Sequence, residues 1–160
     1  MYTLTPPQIF GARFVSLLFL ASIATWAVAL PDRLTAVQRG LAQSASAIAA
    51  LTGGANRVVD HKIFVRGLTL DINYECTGAY VLLILATFLV AYPASWAQRI
   101  LGFLIGVAGL TLVNILRISV LVRVAEIRPD LFPYFHEYVW QGVFLVLVIA
   151  YAMRWVERLR

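Results

Sequence analysis

The sequence contains a single cysteine, Cys76, among 160 residues. One thiol cannot form a disulfide within the chain, and a thiolate zinc cage takes about four soft ligands. We therefore expect neither a metal site nor a cofactor. Cys76 is then either a small apolar side chain that fills space in the packing or a reactive thiol.

Charged residues are also scarce: they make up 13% of the chain, whereas 61% of it is hydrophobic. Mean hydropathy is +0.83, and a soluble domain has roughly 45–50% apolar residues. The excess lies in long uncharged runs, which predicts an integral membrane protein. The N-terminus lacks the pattern of a short cleavable signal, so its apolar run is expected to stay as a membrane anchor.

The net charge of +5 does not indicate a nucleic-acid partner. Most basic residues stand at the ends of apolar runs, where such residues orient membrane helices and contact anionic lipid. The sequence has no basic patch interleaved with aromatic residues, which nucleic-acid binding favours. Membrane lipid is therefore the expected partner of these basic residues.

Four apolar runs predict an all-α integral membrane protein with four transmembrane helices. The runs are residues 9–30, 77–92, 100–122 and 136–155. Arg13 lies near the start of the first run, and Asn114 and Arg117 interrupt the third. The second run is short for a membrane span.

The segment between the first two runs contains two smaller predicted elements. Residues 34–51 have apolar side chains at helical spacing and polar ones between them, which predicts an amphipathic helix on the membrane surface or on its neighbours. The stripe consists of Leu34, Val37, Leu41, Ala45, Ile48 and Leu51. Residues 58–75 alternate with period two around Arg66-Gly67, which predicts a small β-hairpin outside the bilayer.

These elements predict four regions and one orientation. The regions are an N-terminal membrane helix (1–30), an extracytoplasmic amphipathic helix and hairpin (31–75), a three-helix catalytic membrane core (76–156) and a cytoplasmic tail (157–160). Arginine exceeds acid in the short loop around Arg99 and in the C-terminal tail. The positive-inside rule then favours a plasma or inner membrane protein with both termini in the cytoplasm.

In this arrangement three chemically active side chains share one depth on the outer side. Cys76 opens the second helix, Arg117 lies towards the outer end of the third, and His136 opens the fourth. Each has an ordinary alternative, since Cys76 could fill space, Arg117 could extend to the headgroups and His136 could be interfacial. His61 is a competing histidine on the hairpin. The joint placement favours a site.

The three side chains suit covalent catalysis. A thiol nucleophile needs a base, imidazole serves near neutral pH, and a cation stabilises the oxyanion of acyl transfer. A helix N-terminus at Cys76 is expected to lower the thiol pKa. Asn114, on the face of Arg117, is a candidate to bind substrate or to position the thiolate. Glu75, Tyr80 and Glu137 are further candidates to orient the histidine or the substrate.

At these residues the chain resembles the exosortase/archaeosortase family. The resemblance lies in Glu75-Cys-Thr-Gly-Ala79, in Asn114-Ile-Leu-Arg-Ile118 and in Phe135-His136, and it covers about residues 55–155. It implies that Cys76, Arg117 and His136 take the catalytic positions of the family. Thr77 stands where familiar members have serine, and only one membrane helix precedes Cys76, which makes the chain similar to a compact subtype such as exosortase H.

The resemblance implies a cysteine protease-transpeptidase acting on exported proteins. Their C-terminal sorting signal would carry a short motif, a membrane helix and a basic cluster. Cys76 would form a thioester, and a lipid amine, a glycan amine or water would resolve it. Whether His136 deprotonates the thiol or Arg117 holds a thiolate stays open. One alternative is a non-enzymatic membrane subunit or transport component that binds an anionic ligand through Arg117 and Asn114; another is a structural scaffold.

Overall fold

The computed structural model describes residues 6–27 and 33–159, and this part of the chain is mostly helical. Its longer helices are α1 (Pro6–Ala27), α2 (Thr35–Leu51), α3 (Ala79–Ala91), α4 (Trp96–Ile127) and α5 (Trp140–Glu157). Three strands, β1 (Arg57–Val59), β2 (Lys62–Val65) and β3 (Leu68–Asp71), lie between α2 and α3. Short helical turns precede α3 and α5: Tyr74–Thr77, Pro129–Leu131, Phe132–Tyr134 and the π-helical Phe135–Val139.

Three segments of the described chain are long and apolar enough to cross a membrane. They are Gln8–Trp26, Trp96–Ile127 and Pro129–Glu157. The span predicted over residues 77–92 is not confirmed, because α3, the helix in this region, has 13 residues. At 1.5 Å per residue it measures about 20 Å, whereas the hydrocarbon core is about 30 Å thick.

Several predicted helix ends differ from the structure. The helix predicted from residue 100 begins at Trp96 because Ser95 and Gln98 form a capping box, in which each side chain bonds the other residue's backbone N–H. That helix continues to Ile127, five residues past the end of the predicted run 100–122. The first helix begins at Pro6 rather than residue 9, and its predicted end at residue 30 lies outside the described residues.

The predicted amphipathic helix is present as α2, but its buried stripe is rotated. Its buried residues are Gln38, Leu41, Ala42, Ala45 and Ala49, whereas Val37 and Leu51, assigned to the stripe from the sequence, are exposed. The helix packs on α4. Small alanine side chains let two helix backbones approach closely, so the alanine-rich face of α2 is the one that packs on α4.

The sheet has three antiparallel strands in the order β1-β2-β3, and the prediction of a two-stranded hairpin is therefore incomplete. The β2–β3 turn lies where it was predicted, and Arg66 and Gly67 both have positive φ there, as a two-residue hairpin turn prefers. The predicted first arm is divided by a second turn at Asp60, whose φ is 59°. Aspartate tolerates this left-handed conformation better than most residues.

Two hydrophobic cores hold the described part of the chain together, and Cys76 belongs to the first of them. The first lies under the sheet between α2 and the later part of α4, and it includes Cys76 and Val122. The second lies between α3, α4 and α5. Helix α1 packs on α3 through edge-to-face contacts of Phe10 with Phe88, with ring centroids 5.7 Å apart. Several of its other apolar side chains, such as Phe19, are exposed, as expected for a surface that faces lipid.

Two glycines let α4 approach its neighbours. A Cβ atom at Gly102 would lie 2.4 Å from Nε1 of Trp155, and one at Gly106 would lie 2.4 Å from Leu85. These glycines are four residues apart and mark the small-residue contact by which membrane helices pack. Trp155 also donates a hydrogen bond to the Gln98 carbonyl (3.3 Å), so the indole is fixed against α4.

We predict that Gly102→Ala destabilises the helix packing. The new methyl group displaces the Trp155 ring, and overpacking of this kind costs about 1–3 kcal/mol. The effect is measured as a fall in the free energy of unfolding of the purified protein in detergent. Gly109→Ala is the matched control, since Gly109 has nothing within 4 Å of an added Cβ. An equal loss in both variants contradicts the packing argument.

Candidate functional site

Cys76 lies in the short turn Tyr74–Thr77 between the sheet and α3. Asn73 caps this turn: its Oδ1 accepts a hydrogen bond from the Cys76 backbone N–H at 3.2 Å. Gly78 follows with φ +75°, a left-handed conformation that glycine adopts without strain. The chain therefore bends between the cysteine and α3, and Cys76 is 8% exposed.

Asn114 connects this turn to α4. Its Nδ2 donates a hydrogen bond of 2.7 Å to the Cys76 backbone carbonyl, and Asn114 itself is 2% exposed. We predicted from the sequence that Asn114 binds substrate or positions the thiolate, and the structure commits its donor group to the backbone of the cysteine. Its Oδ1 is buried and has no hydrogen-bond partner in the described part of the chain.

Arg117 stands one turn after Asn114 on α4. Its guanidinium carbon lies 5.6 Å from the centroid of the Phe144 ring on α5, close enough for a cation–π contact. Its Nε is buried without a hydrogen-bond partner among the described residues, and no salt bridge of Arg117 occurs there. An arginine held in this way keeps donors available for an incoming acceptor.

His136 lies in the π-helical turn Phe135–Val139 that leads into α5. Its imidazole stacks on the Phe132 ring with centroids 5.6 Å apart and an interplanar angle of 20°. π-Helical turns of this kind occur frequently at functional sites. His61, the competing histidine, instead contacts Asp60 and Asp71 on the sheet.

Cys76, Arg117 and His136 line the same two neighbouring cavities. The larger cavity, about 460 Å³, lies between α3 and α5 and also contains the predicted residues Glu75 and Tyr80 on its wall. The smaller, about 210 Å³, runs along β3 and the residues that follow it. The structure thus brings together three side chains that are 41 and 19 residues apart in sequence.

The predicted residues Glu75 and Tyr80 border the larger cavity, and both are exposed. The Tyr80 ring packs edge-on against Tyr74, with centroids 5.1 Å apart. Glu137, which we also considered for orienting the histidine, is exposed and does not line either cavity.

The sequence reasoning missed Trp140. It lines the larger cavity, and its indole Nε1, which is only a donor, is buried without a hydrogen-bond partner in the described part of the chain. Arg117 and Trp140 therefore both hold unpaired donors beside Cys76. A signal was available, because Trp140 follows His136 by four residues, a spacing that places two helical side chains on one face.

The described residues do not form a metal site. Among them, no three His, Cys, Asp or Glu side chains come together in a group that could hold a metal ion.

Comparison with known proteins relates this arrangement to one family. Residues 3–155 match the family model described as transmembrane exosortase. A protein described as probable archaeosortase E, from Methanocaldococcus jannaschii, is 30% identical over 111 residues, which cover 65% of this chain. The matched region spans 58% of the length of that relative. No solved structure matches the chain.

The electrostatics of Cys76 differ from the prediction made from the sequence. Burial raises the pKa of the thiol, and the nearby Arg117 guanidinium and a hydrogen bond from the Asn73 backbone offset this only in part. A lowered pKa was expected because Cys76 precedes a helix. Gly78 separates the cysteine from α3, which begins at Ala79, and desolvation then outweighs the effect of the helix dipole.

We predict that the thiol of the folded protein alkylates with a midpoint above about pH 8.5, the ordinary cysteine value. The thiolate is the reactive form, so a raised pKa moves the rise in rate to higher pH. Arg117→Gln removes the stabilising cation and moves the midpoint further up. The measurement is the maleimide labelling rate against pH, with the unfolded chain as reference. A folded midpoint below that of the unfolded chain contradicts the burial argument.

Proposed function

Since the chain belongs to the transmembrane exosortase family, we propose that it is a membrane cysteine transpeptidase that cleaves the C-terminal sorting signal of exported proteins. The observation that carries the proposal is that Cys76, Arg117 and His136 line the same two cavities. Nucleophile, base and electrostatic partner are the groups that acyl transfer to a thiol needs.

In the first step, Cys76 Sγ attacks a backbone carbonyl carbon of the substrate. His136 takes the thiol proton, and the carbonyl electron pair moves to oxygen. The raised pKa of Cys76 favours His136 as a base in this step over a thiolate held ready by Arg117. The thiol is protonated at rest, and its proton must leave as the carbon–sulfur bond forms.

The oxyanion that forms needs donors in place before the reaction. Arg117 and Trp140 have buried nitrogen atoms without partners in the described chain, and both residues border the cavity next to Cys76. When the oxyanion collapses, the carbonyl reforms, the carbon–nitrogen bond breaks, and His136 gives its proton to the departing amine. The products are a thioester on Cys76 and the free C-terminal sorting signal of the substrate.

A second nucleophile completes the cycle. An amine of a lipid or glycan, or a water molecule, attacks the thioester carbonyl and passes a proton to His136. The carbon–sulfur bond breaks, and the sulfur recovers the proton. Asn114 acts here as a positioning residue, because its hydrogen bond fixes the Cys76 carbonyl (2.7 Å) and hence the backbone that carries the nucleophile.

The arginine distribution supports an extracytoplasmic active site. Arg154, Arg158 and Gln98 border one cavity where α4 begins and α5 ends. Arg99 and Arg117 are eighteen residues apart on α4, or about 27 Å along a helix, which is close to the thickness of the hydrocarbon core. With the end that carries Arg99, Arg154 and Arg158 in the cytoplasm, Cys76 lies at the outer surface of the membrane.

The alternative function, a non-enzymatic subunit or transport component that binds an anionic ligand, has one observation in its favour, the unpaired Nε of Arg117. Its second proposed ligand contact is weaker, since Asn114 Nδ2 already bonds the Cys76 carbonyl. The two functions differ over the cysteine, which is essential only to the enzyme.

We predict that Cys76→Ala abolishes processing while the protein still inserts into the membrane. Mass spectrometry of exported proteins in the native host is expected to show C-termini that keep their hydrophobic segment. In acid-quenched wild-type membranes, Cys76 is expected to carry the substrate polypeptide as a thioester that hydroxylamine cleaves. Thr87→Ala, a buried side chain of α3 that lines neither cavity of the site, is the control. Normal processing by Cys76→Ala would rule out the enzyme.

We predict that loss of either unpaired donor slows processing without loss of the fold. Removing one oxyanion donor costs about 10²–10³-fold in rate, so Arg117→Gln and Trp140→Phe should each lower the rate by at least tenfold. Trp140→Phe keeps an aromatic ring in the cavity wall and removes only the N–H donor. Trp96→Phe is the matched control, because Trp96 is exposed beside Arg99. Equal rates in Trp140→Phe and Trp96→Phe would exclude an oxyanion role for Trp140.

A further inference from the structure

Strand β3 has one edge without a strand partner in the described part of the chain. The sheet order is β1-β2-β3, so β2 occupies only one side of β3. Val65 pairs with Leu68 next to the two-residue turn, and the Ile72 N–H donates to the His61 carbonyl at 3.0 Å. Antiparallel pairs alternate in their hydrogen bonds, so the backbone N–H groups of Thr69 and Asp71 point away from β2.

The smaller cavity follows this edge. Its wall contains every residue from Thr69 to Asn73. Phe132 and His136 border the same cavity, as do Cys76 and Arg117. The cavity is therefore a slot with strand backbone along it and the proposed nucleophile and base at its end.

A peptide in extended conformation fits such a slot. Edge strands bind extended peptides through main-chain hydrogen bonds, which act on any sequence, while alternate side chains confer specificity. The unpaired N–H groups of Thr69 and Asp71 provide donors two residues apart, the spacing at which successive groups of one strand face the same side. The slot continues past Cys76 into the larger cavity between α3 and α5.

The direction of the peptide follows from the two cavities. The larger cavity is lined mainly by apolar side chains such as Val81, Ile84 and Val148, which suits the membrane segment that follows the cleaved bond. The residues before the cleaved bond then lie along β3. A substrate segment that runs from beside Leu68 towards Cys76 has the same direction as β3 and is therefore parallel to it.

We propose that the substrate residues just upstream of the cleaved bond add to the free edge of β3 as a parallel fourth strand. This inference rests on the proposed transpeptidase function and defines how its substrate is held. The enzyme recognises the main chain of an extended substrate segment, and pairing with the sheet positions the carbonyl group of the cleaved bond next to Cys76. The small sheet is thus part of the substrate-binding site.

Disulfide mapping tests the register. Cys76→Ala removes the only cysteine of the chain, so single cysteines can replace Thr69 or Asp71 in that background. The cross-linking partner is the exported protein that is recovered as a thioester on wild-type Cys76. Single cysteines are introduced into this exported protein at successive positions on both sides of the cleaved bond. We expect Asp71→Cys to cross-link upstream of the bond and Thr69→Cys to cross-link two residues farther upstream.

Val59→Cys is the matched control, because β1 forms the opposite edge of the same sheet and Val59 lies on the exposed face that Asp71 shares. Val59 also lines neither cavity of the site. Cross-links only to residues downstream of the bond, a reversed order at the two positions, or equal cross-linking by Val59→Cys overturn the inference. The absence of cross-links to an exported protein that does acylate Cys76 also overturns it and leaves the proposed function intact. If no protein acylates wild-type Cys76, the proposed function fails and the inference fails with it.

Discussion

The buried hydrogen bond from Asn114 to the Cys76 carbonyl fixes the cysteine turn to α4. Cys76 belongs to the core that α2 and the sheet share with the later part of α4, while α3 and α5 pack on α4 in a second core. An amide donor at 2.7 Å in a buried position is costly to leave unpaired, by about 1–3 kcal/mol. Together with the packing of α2 on α4, the bond therefore fixes the depth at which Cys76 lies against α4.

That depth determines the composition of the site. Arg117 follows Asn114 by one helical turn, so the same helix that holds the cysteine backbone also presents the guanidinium group. The π-helical turn places His136 at the start of α5, where Phe132 stacks on it. The membrane bundle thus supplies the guanidinium and the imidazole, and the turn at the end of the sheet supplies the thiol.

The sequence predicted the helical character of the chain and its family, because hydrophobic runs and three short motifs carry that information locally. It also predicted the β2–β3 turn from Arg66-Gly67. It failed where a turn depends on an unusual backbone conformation and where the outcome depends on contacts between distant segments. The turn at Asp60 relies on a non-glycine residue with positive φ, and the partner of Asn114 lies 38 residues away. The roles assigned to Cys76, Arg117 and His136 stay predictions.

Helix α3 shows a second kind of failure. Its residues are as apolar as those of a membrane span, and period alone cannot tell a short helix packed among others from one that crosses a bilayer. The left-handed Gly78 separates α3 from the turn before it, so the uncharged run of the sequence contains two elements. Because of the same separation, the pKa of the Cys76 thiol is not lowered by a helix dipole, contrary to the prediction from the sequence.

The burial of Cys76 also has a chemical consequence outside catalysis. Thiolates, rather than thiols, react with peroxides and with disulfides. A cysteine that is 8% exposed, and whose thiol pKa is raised by burial, is a poor target for sulfenic acid formation and for mixed disulfides. The fold itself therefore protects the sulfur of Cys76 from oxidation.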